Sequence, residues 1–465
     1  MSSIAEKTYA EQSSIKSVSR FFKRYQIGSV IKNAGAYKQK GFPAIVIVMY
    51  LVSLVYTGKG MIQDMRSSSP LAQGFSKDTV YRFLNQIYVN WQSILLIIAG
   101  KAVSDIDKLT SEARLSAYVI DDTTYEILYA KKTELVSKIY DHAEKGKNKF
   151  KWGFRMLTLG WTDGVSFIPL AFRHLASSDL KKQRCGVNPD IDKRSRAYRL
   201  RKEAVSKATD VLLIQLKAAM KVGIAAKYVL FDTWFAYPTT IVKIRELGLH
   251  VVARVKDTTK IKYMVDGEKK TAKQIFKENR KRRGKSRYLL SVNISLHTTE
   301  NGDMAFVPAK IVYVRNRQKR NEWIALVSTD LELSEDDIIT LYGKRWDIEV
   351  FFKICKSYLK LSKEFQQLSY DAITAHTSIV MIRYIILSVE KRTMEDPRTL
   401  GELFYIGFDE AADIKFEQAL IMLMSLLTET LKDADIGLTE EQMEKIMDSF
   451  INRLPEYFQL CLQPA

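Results

Sequence analysis

The feature that most constrains the fold is an alternation of short, apolar, β-rich segments with helical segments between residues 117 and 255. Strand-like segments lie at 117–121, 152–159, 165–172, 228–232 and 249–255, and helical segments lie at 203–222 and 239–247. Asp163-Gly164 joins the second strand to the third, and this dipeptide favours a tight hairpin turn. The order β-β-β-α-β-α-β therefore predicts an α/β fold built on one sheet.

Acidic residues follow two of the predicted buried strands. Asp122 comes after the first strand and Asp232 after the fourth, and a third acid, Glu349, lies on a later helix. Carboxylates from such distant segments can converge on one point, and an all-oxygen set without histidine suits Mg²⁺ or Mn²⁺. Two such ions about 4 Å apart support phosphoryl transfer. Asp121 competes with Asp122 for the first position, because strand alternation sends the two side chains to opposite faces.

Residues 335–361 predict one long helix that carries a narrow polar stripe. Tyr342, Arg345, Glu349 and Lys356 fall within roughly 60° of one another on an ideal helix, and most of their neighbours are apolar. A stripe of this kind indicates a functional site in which the cations hold phosphates and the acid holds a metal ion. The alternative is a salt-bridged helix, with Arg345 and Glu349 as an ordinary pair one turn apart.

These residues resemble a known family. The spacing Tyr342-x2-Arg345-x3-Glu349-x6-Lys356 resembles the signature of one group of bacterial insertion-sequence transposases of the DDE type. The family's first catalytic Asp precedes a Thr, as Asp122 does, and its second closes a strand, as Asp232 does. The segments 141–142, 153–157 and 163–169 are also similar to the family, so the resemblance covers roughly residues 115–365.

The resemblance implies an RNase H-like (retroviral integrase-like) core with a β insertion, flanked by N-terminal and C-terminal helical regions. Asp122, Asp232 and Glu349 would bind two Mg²⁺ (or Mn²⁺) ions. By the same resemblance, Tyr342, Arg345 and Lys356 would contact phosphates beside the scissile bond. The implied reaction is cut-and-paste transposition of double-stranded DNA, with terminal inverted repeats and target DNA held by a homodimer in the synaptic complex.

The resemblance also gives Trp323 a role. In relatives that cut through a DNA hairpin, a Trp from the β insertion stacks on a flipped base, and Trp323 resembles it. An aromatic face can hold an unstacked base. The alternative is a core Trp at the start of a strand.

An N-terminal segment has the pattern of a DNA-reading helix. Ser76 is placed to cap a helix whose polar side presents Lys77, Thr79 and Arg82. A short helix with a basic leading end suits a DNA groove. An ordinary capped surface helix is the alternative reading.

The predicted organisation has five parts. Residues 1–110 form a helical DNA-binding domain, 111–256 the first part of the core, 257–325 an inserted β subdomain, 326–362 the last core helix, and 363–465 a helical region for dimerisation.

Composition agrees with a polyanionic partner. Lys and Arg total 72 against 53 acids, a formal net charge of +19, which points first to nucleic acid. The basic stretches 177–207 and 269–287 are either DNA-backbone contacts or solvated loops. The three scattered cysteines fit a reducing compartment. The longest apolar run, 42–56, is shorter than the ~20 residues that span a bilayer, so we expect a cytoplasmic, nucleoid-associated bacterial protein without a membrane partner.

Two other functions stay open from the sequence. A structure-selective DNA nuclease on the same fold would keep the acids but not join strands. A transposase-derived protein that only binds DNA would not need the acids, and all three are present.

Overall fold

We describe the fold from a computed structural model of the chain. It describes residues 16–37, 41–66, 74–110, 114–129, 131–140, 149–282, 286–300, 303–316, 322–364, 368–393, 399–400, 402–403, 405, 427 and 440–453. The family-like pair Asp141 and His142 lies outside these residues.

One mixed sheet of eleven strands forms the centre of the molecule. The strands are β1 Ala117–Glu126, β2 Ser137–Tyr140, β3 Phe150–Thr162, β4 Phe167–Leu175, β5 Tyr228–Phe231, β6 His250–Arg254, β7 Tyr263–Val265, β8 Glu268–Lys270, β9 Tyr288–Glu300, β10 Asp303–Arg315 and β11 Trp323–Ser328. The order is β2-β3-β1-β5-β6-β11-β10-β9-β7-β8, with β4 also pairing with β3. β1, β5 and β6 are parallel to one another, and the other pairings are antiparallel.

Helices surround this sheet. They are α1 Lys16–Arg24, α2 Ile27–Asn33, α3 Ala44–Ser53, α4 Met61–Arg66, α5 Lys77–Leu84, α6 Trp91–Asp107, α7 Arg196–Ala204, α8 Ala208–Lys221, α9 Pro238–Glu246, α10 Ala272–Glu278, α11 Glu335–Gly343, α12 Trp346–Ser357, α13 Tyr370–Thr393 and α14 Glu440–Arg453. Side chains cap the N-termini of five of the described helices. For example, the Ser334 hydroxyl accepts a hydrogen bond from the Asp337 backbone N–H at the start of α11.

The hairpin prediction is confirmed. β3 and β4 pair antiparallel on either side of Asp163 and Gly164. The Asp163 carboxylate accepts hydrogen bonds from the backbone N–H groups of Val165 and Ser166, and Gly164 takes the positive φ of 88° that the turn requires.

The first strand is longer than the sequence indicates. We expected it to end at the acids, whereas β1 continues to Glu126 because β3 pairs with it along its whole length. Only the parallel ladder with β5 stops before the acids, at Ile120 and Phe231. Asp121 and Asp122 therefore lie within a strand but directly beyond its parallel partner.

The predicted helix 335–361 is two helices. α11 ends at Gly343 and α12 begins at Trp346. At the junction the Lys344 ammonium donates to the backbone carbonyls of Leu115 and Asp163. These bonds tie the junction to the β3–β4 turn.

The predicted β insertion extends the central sheet. β9 and β10 pair with each other, and β10 joins β6 through β11. The strands after residue 257 are therefore part of the central sheet and extend it beyond β6.

The N-terminal helices pack on the same core as the sheet. α6 packs against β4, and α13 packs against α6, α3 and α1. α13 is buried from Tyr370 to Val389, and it is the one described helix long and apolar enough to cross a membrane, although its apolar window is wholly covered by the fold. Most of the predicted C-terminal helical region 363–465 after residue 393 lies outside the described residues.

Candidate active site

Two of the predicted acids lie at the carboxyl edge of the parallel strands. Ile120 of β1 is level with Phe231 of β5 in the last parallel pair. Asp121 directly follows Ile120, and Asp232 directly follows Phe231. Side chains that continue paired positions of parallel strands point to the same face, so this edge brings Asp121, rather than Asp122, level with Asp232.

The two neighbouring aspartates face opposite ways. The Asp121 carboxylate accepts a hydrogen bond from Arg345 Nη1 at 2.5 Å. The Asp122 carboxylate forms an ion pair with Arg155 of β3. Arg155 lies opposite Thr124 in the β1–β3 ladder, and Thr124 shares a face with Asp122 because the two are two residues apart. Asp122 and Arg155 therefore lie together on the face opposite to Asp121. The structure therefore brings Asp121, and not Asp122, to the side of the sheet that carries Arg345.

Helix α12 and the residue before it cover that same face. Arg345 Nη1 also lies 3.4 Å from the Glu349 carboxylate, one turn further on. Lys356 Nζ donates to the Thr123 hydroxyl at 2.7 Å, and Thr123 shares a face with Asp121 by strand alternation. Three of the four predicted signature residues thus meet this face of β1.

The fourth signature residue, Tyr342, ends up on the preceding helix. The break at Lys344 makes the continuous stripe predicted for one helix wrong, but Arg345 still bridges the two segments. Its guanidinium carbon lies 5.9 Å from the centre of the Tyr342 ring. Burial, with the nearby Asp232 charge, raises the pKa of Tyr342 to about 12.

The site is a half-buried mixture of acids and cations. Burial raises the pKa of Asp121 to about 7, against the opposing effect of Arg345 and with a further increase from Glu349. Burial lowers the pKa of Arg345. The negative charge of Asp121, with further neighbours including Asp232 and Glu349, outweighs this effect, so the pKa of Arg345 is raised. Arg345 therefore stays charged and stabilises acids that would otherwise repel one another.

The carboxylates do not form a closed metal cage. Among the residues that the structure describes, no three His, Cys, Asp or Glu side chains lie close enough to hold one metal ion. Their chemistry nevertheless fits a hard divalent cation, since all the donors are carboxylate oxygens. Arg345 places its own positive charge between Asp121 and Glu349.

Trp323 lies in an aromatic cluster of the β insertion. Its ring centre is 5.3 Å from Phe276 and 5.0 Å from Tyr313. Tyr313 is fully buried. These contacts are those of a partly buried side chain packed at the start of β11, and the base-stacking role of Trp323 stays a prediction.

The predicted DNA-reading helix exists as α5. Ser76 caps it by accepting from the Thr79 backbone N–H. Val80, Phe83 and Leu84 face the core, while Lys77 and Arg82 are exposed. The arrangement of the helix is confirmed, and its DNA contact through Lys77, Thr79 and Arg82 stays a prediction.

The basic stretch 177–207 is divided between surface and core. Arg201 is buried and bonds both Glu134 and Asp371, so it holds α7 to α13 and is not available to DNA. Lys181, Lys182 and Arg194 stay at the surface.

Sequence reasoning gave no role to three residues beside the site. Arg155 pairs with Asp122, and its guanidinium carbon lies 4.7 Å from the centre of the Trp234 ring. Lys256 Nζ lies 5.3 Å from the same centre. Of these, only Trp234 had a usable signal, an aromatic residue two positions after the acid Asp232.

The molecule is an α/β protein whose sheet carries acids at the carboxyl ends of its parallel strands, with Arg345 facing them, and this is the edge at which α/β folds bind their ligands. The chain belongs to the DDE superfamily endonuclease family, whose model matches residues 47–299, more than half of the chain. The match includes Asp121, Asp122 and Asp232 and ends before Glu349.

No curated protein matches the chain. A solved structure that it resembles is a cryo-electron microscopy structure of a piggyBac transposase synaptic complex with hairpin DNA, at 10% identity and a TM-score of 0.43, with 95% of this chain and 85% of that chain covered.

Proposed function

We propose that the protein is a metal-dependent DNA transposase that binds the terminal inverted repeats of an insertion sequence, cleaves them and joins them to target DNA. The observation that carries this proposal is the arrangement of Asp121 and Glu349, which share Arg345 on one face of β1 beside Asp232. An RNase H-like core is supported by the sheet, in which the antiparallel strands β4, β3 and β1 are followed by the parallel strands β5 and β6.

We propose Asp121, Asp232 and Glu349 as the holders of Mg²⁺ or Mn²⁺. When bound, two such ions activate a water or a 3′-hydroxyl and stabilise the leaving oxygen. The sequence resemblance favoured Asp122 for the first position, while the geometry favours Asp121, since Asp122 is turned to the opposite face and paired with Arg155.

The cations of this face would position the DNA backbone. A phosphate beside the scissile bond would compete for Arg345, and Asp121 and Glu349, which Arg345 bridges, would then be free to hold a metal ion. Lys356, on the same helix as Glu349, would hold a second phosphate. Tyr342 would help by keeping the Arg345 guanidinium in place.

The test is a cleavage and joining assay with the full chain. The substrate is a duplex of the DNA that flanks its coding region, in Mg²⁺ or Mn²⁺, with a supercoiled plasmid as target. We expect cleavage followed by joining of the 3′-hydroxyl end. Asp232→Asn and Glu349→Gln should reduce cleavage by roughly a hundredfold or more while DNA binding persists, and normal cleavage by either variant would exclude that residue as a metal ligand.

Substitutions of Asp121 and Asp122 test which of the two is the first of the three metal-binding carboxylates. Asp121→Asn should match Glu349→Gln, and Asp122→Asn should retain more activity. Glu126→Gln is the matched control, because Glu126 is on the same strand but pairs with Lys151 away from the other acids. Cleavage without joining would identify a structure-selective nuclease, and binding without cleavage would identify a non-catalytic DNA-binding protein.

A further inference from the structure

One face of the β2–β3 ladder carries aromatic and basic side chains. Lys138 of β2 lies opposite Trp152 of β3, and Tyr140 lies opposite Phe150. Directly opposed residues of an antiparallel pair point to the same face, so these four side chains lie together. Lys138 and Tyr140 are exposed, and so is 65% of the Phe150 surface. This end of the sheet therefore presents a basic and aromatic face to solvent.

Three cations lie against the rings of this face. The Arg184 guanidinium carbon is 4.4 Å from the centre of the Trp152 ring, and Lys138 Nζ is 5.6 Å from the same centre. Lys149 Nζ lies 6.0 Å from the centre of the Tyr140 ring. An aromatic ring attracts a cation through its quadrupole, so the rings help to hold these charges in place. We call Lys138, Lys149, Arg184, Tyr140 and Trp152 the basic face.

Arg184 reaches the basic face because its segment is bonded to the edge of the sheet. The Arg184 backbone N–H donates to the Val136 carbonyl at 2.9 Å. In return, the Leu135 backbone N–H donates to the Cys185 carbonyl at 2.9 Å. The basic stretch 177–207 therefore contributes a cation whose backbone is fixed beside β2.

The basic face lies on the same side of the sheet as Asp121. Asp121 is opposite Thr158 of β3, and Thr158 and Trp152 share a face because an even number of residues separates them. At about 3.4 Å per residue, the two positions are about 20 Å apart along the strand. Between them Tyr370 packs on Phe154 with ring centres 6.0 Å apart. A ligand that contacts both places would therefore cross the start of α13.

The backbone of duplex DNA has the charge and the length for this path. Lys138 and Arg184 share one ring, and like charges so close together repel each other, so a phosphate beside them stabilises both. Each strand of a duplex offers a phosphate about every 3.4 Å along the axis, so 20 Å corresponds to about six base pairs. A duplex stays straight over this length, because its persistence length is about 50 nm.

We propose that Lys138 and Arg184 hold backbone phosphates of the cleaved duplex about six base pairs from the scissile phosphate, and that Trp152 positions both cations. The proposal rests on the proposed function, because it needs the scissile phosphate at Asp121. The partner is the cleaved duplex and not the target, since the basic face and the acids lie at a fixed distance on one sheet. The contact positions the duplex and reads no base.

The salt dependence of binding tests the two charges without cleavage. The full chain carrying Glu349→Gln is titrated with a fluorescent duplex of the flanking DNA at several salt concentrations, and separately with an unrelated duplex as target. Adding Lys138→Gln and Arg184→Gln should make the slope of log K against log salt less negative by roughly 1 for each cation removed.

A matched control removes the same charge elsewhere. Lys151→Gln is combined with Lys202→Gln in the Glu349→Gln chain. Lys151 lies next to Trp152 on β3, so it points to the opposite face, and it pairs with Glu126. Lys202 lies on α7. This control should leave the slope for the flanking duplex unchanged.

The position of the contact is measured with a neutral methylphosphonate placed in turn at each phosphate of the flanking duplex. The Glu349→Gln chain should lose affinity when the substitution lies about six base pairs from the scissile phosphate. The chain that also carries Lys138→Gln and Arg184→Gln should show no further loss there. Trp152→Leu should reduce the positional loss and Trp152→Phe should retain it, which a general effect on stability would not produce.

The outcomes separate this proposal from the function on which it rests. If the unsubstituted chain cleaves the flanking DNA, and the slope and the positional loss do not depend on Lys138 and Arg184, the basic face is not a DNA contact and the transposase proposal stands. A change of slope confined to the unrelated duplex would overturn the assignment to the cleaved duplex. If the unsubstituted chain neither binds nor cleaves the flanking DNA, the proposed function fails, and this proposal fails with it.

Discussion

At the scale of single residues, Asp121 combines burial with a shared cation. Burial raises its pKa from 3.8 to about 7, although Arg345 opposes the shift. In the unfolded chain the same carboxyl titrates near 4. Between these two values the folded protein keeps a proton that the unfolded chain has lost.

This difference sets the sign of a pH effect on stability. As the pH rises from about 4 to about 7, ionisation favours the unfolded chain, so the contribution of Asp121 to the free energy of unfolding falls by at most about 1.4 kcal/mol per pH unit. Asp121→Asn removes this titration. Urea unfolding of the two metal-free proteins gives the difference in their free energies of unfolding. We expect the unsubstituted protein to lose stability relative to the variant as the pH rises across this range. A difference that increases with pH would contradict the assignment.

The sequence located this pair of acids, and the family resemblance assigned the first metal-binding position to Asp122. Alternation already required that Asp121 and Asp122 face opposite sides. Which side meets Glu349 depends on how β1 registers with β5 and where α12 crosses the strand. Both are long-range facts that no local pattern contains, so the local Asp-Thr resemblance pointed to Asp122.

At the scale of elements, the junction between α11 and α12 determines where Arg345 lies. Lys344 is half-buried and donates to two backbone carbonyls, Leu115 and Asp163. A Cβ atom at Gly164 would lie 2.8 Å from the Lys344 side chain. The β3–β4 turn and the junction are therefore fitted to each other.

Removing the Lys344 amine should weaken this junction. Lys344→Ala leaves the two carbonyls without their partner, a loss of about 1–3 kcal/mol of stability. Lys353→Ala, on the exposed side of α12, is the matched control and should change the free energy of unfolding by no more than about 0.5 kcal/mol. Chemical denaturation followed by circular dichroism measures both, and equal effects would show that the junction does not depend on Lys344.

The junction also shows where element prediction failed. Apolar spacing through 335–361 is continuous, and the only local sign of a break is Gly343. The break depends on bonds from Lys344 to residues more than 180 positions away. The hairpin at Asp163-Gly164, in contrast, depends on local turn chemistry and was predicted correctly.

At the scale of the whole molecule, the N-terminal helices and the sheet belong to one hydrophobic core. The sequence predicted an N-terminal domain because its helical pattern changes to a β pattern near residue 115. Periodicity identifies the elements but does not show which faces meet. The five-part division stays a prediction, whereas the continuous packing through α13 is a property of the fold.

A buried ion pair is central to that packing. Arg383 of α13 donates to the backbone carbonyls of Val52 and Leu359, at 3.1 and 3.2 Å, and pairs with Glu364 at 2.8 Å. It therefore joins an N-terminal helix to the segment that follows α12. Burial raises the pKa of Glu364, and Arg383 opposes that shift.

Breaking this pair should destabilise the entire molecule in one step. Arg383→Met leaves Glu364 buried without its partner, which costs about 3–5 kcal/mol, and adding Glu364→Met should recover much of that loss. Arg20→Met is the matched control, since Arg20 also joins an N-terminal helix to α13, through Glu390, but at the exposed surface, where a pair contributes about 0–1 kcal/mol. Denaturation followed by both circular dichroism and tryptophan fluorescence should give coincident single transitions. Two separate transitions in the unsubstituted protein would instead mean that the N-terminal helices unfold independently of the sheet, and that the division near residue 110 is a true domain boundary.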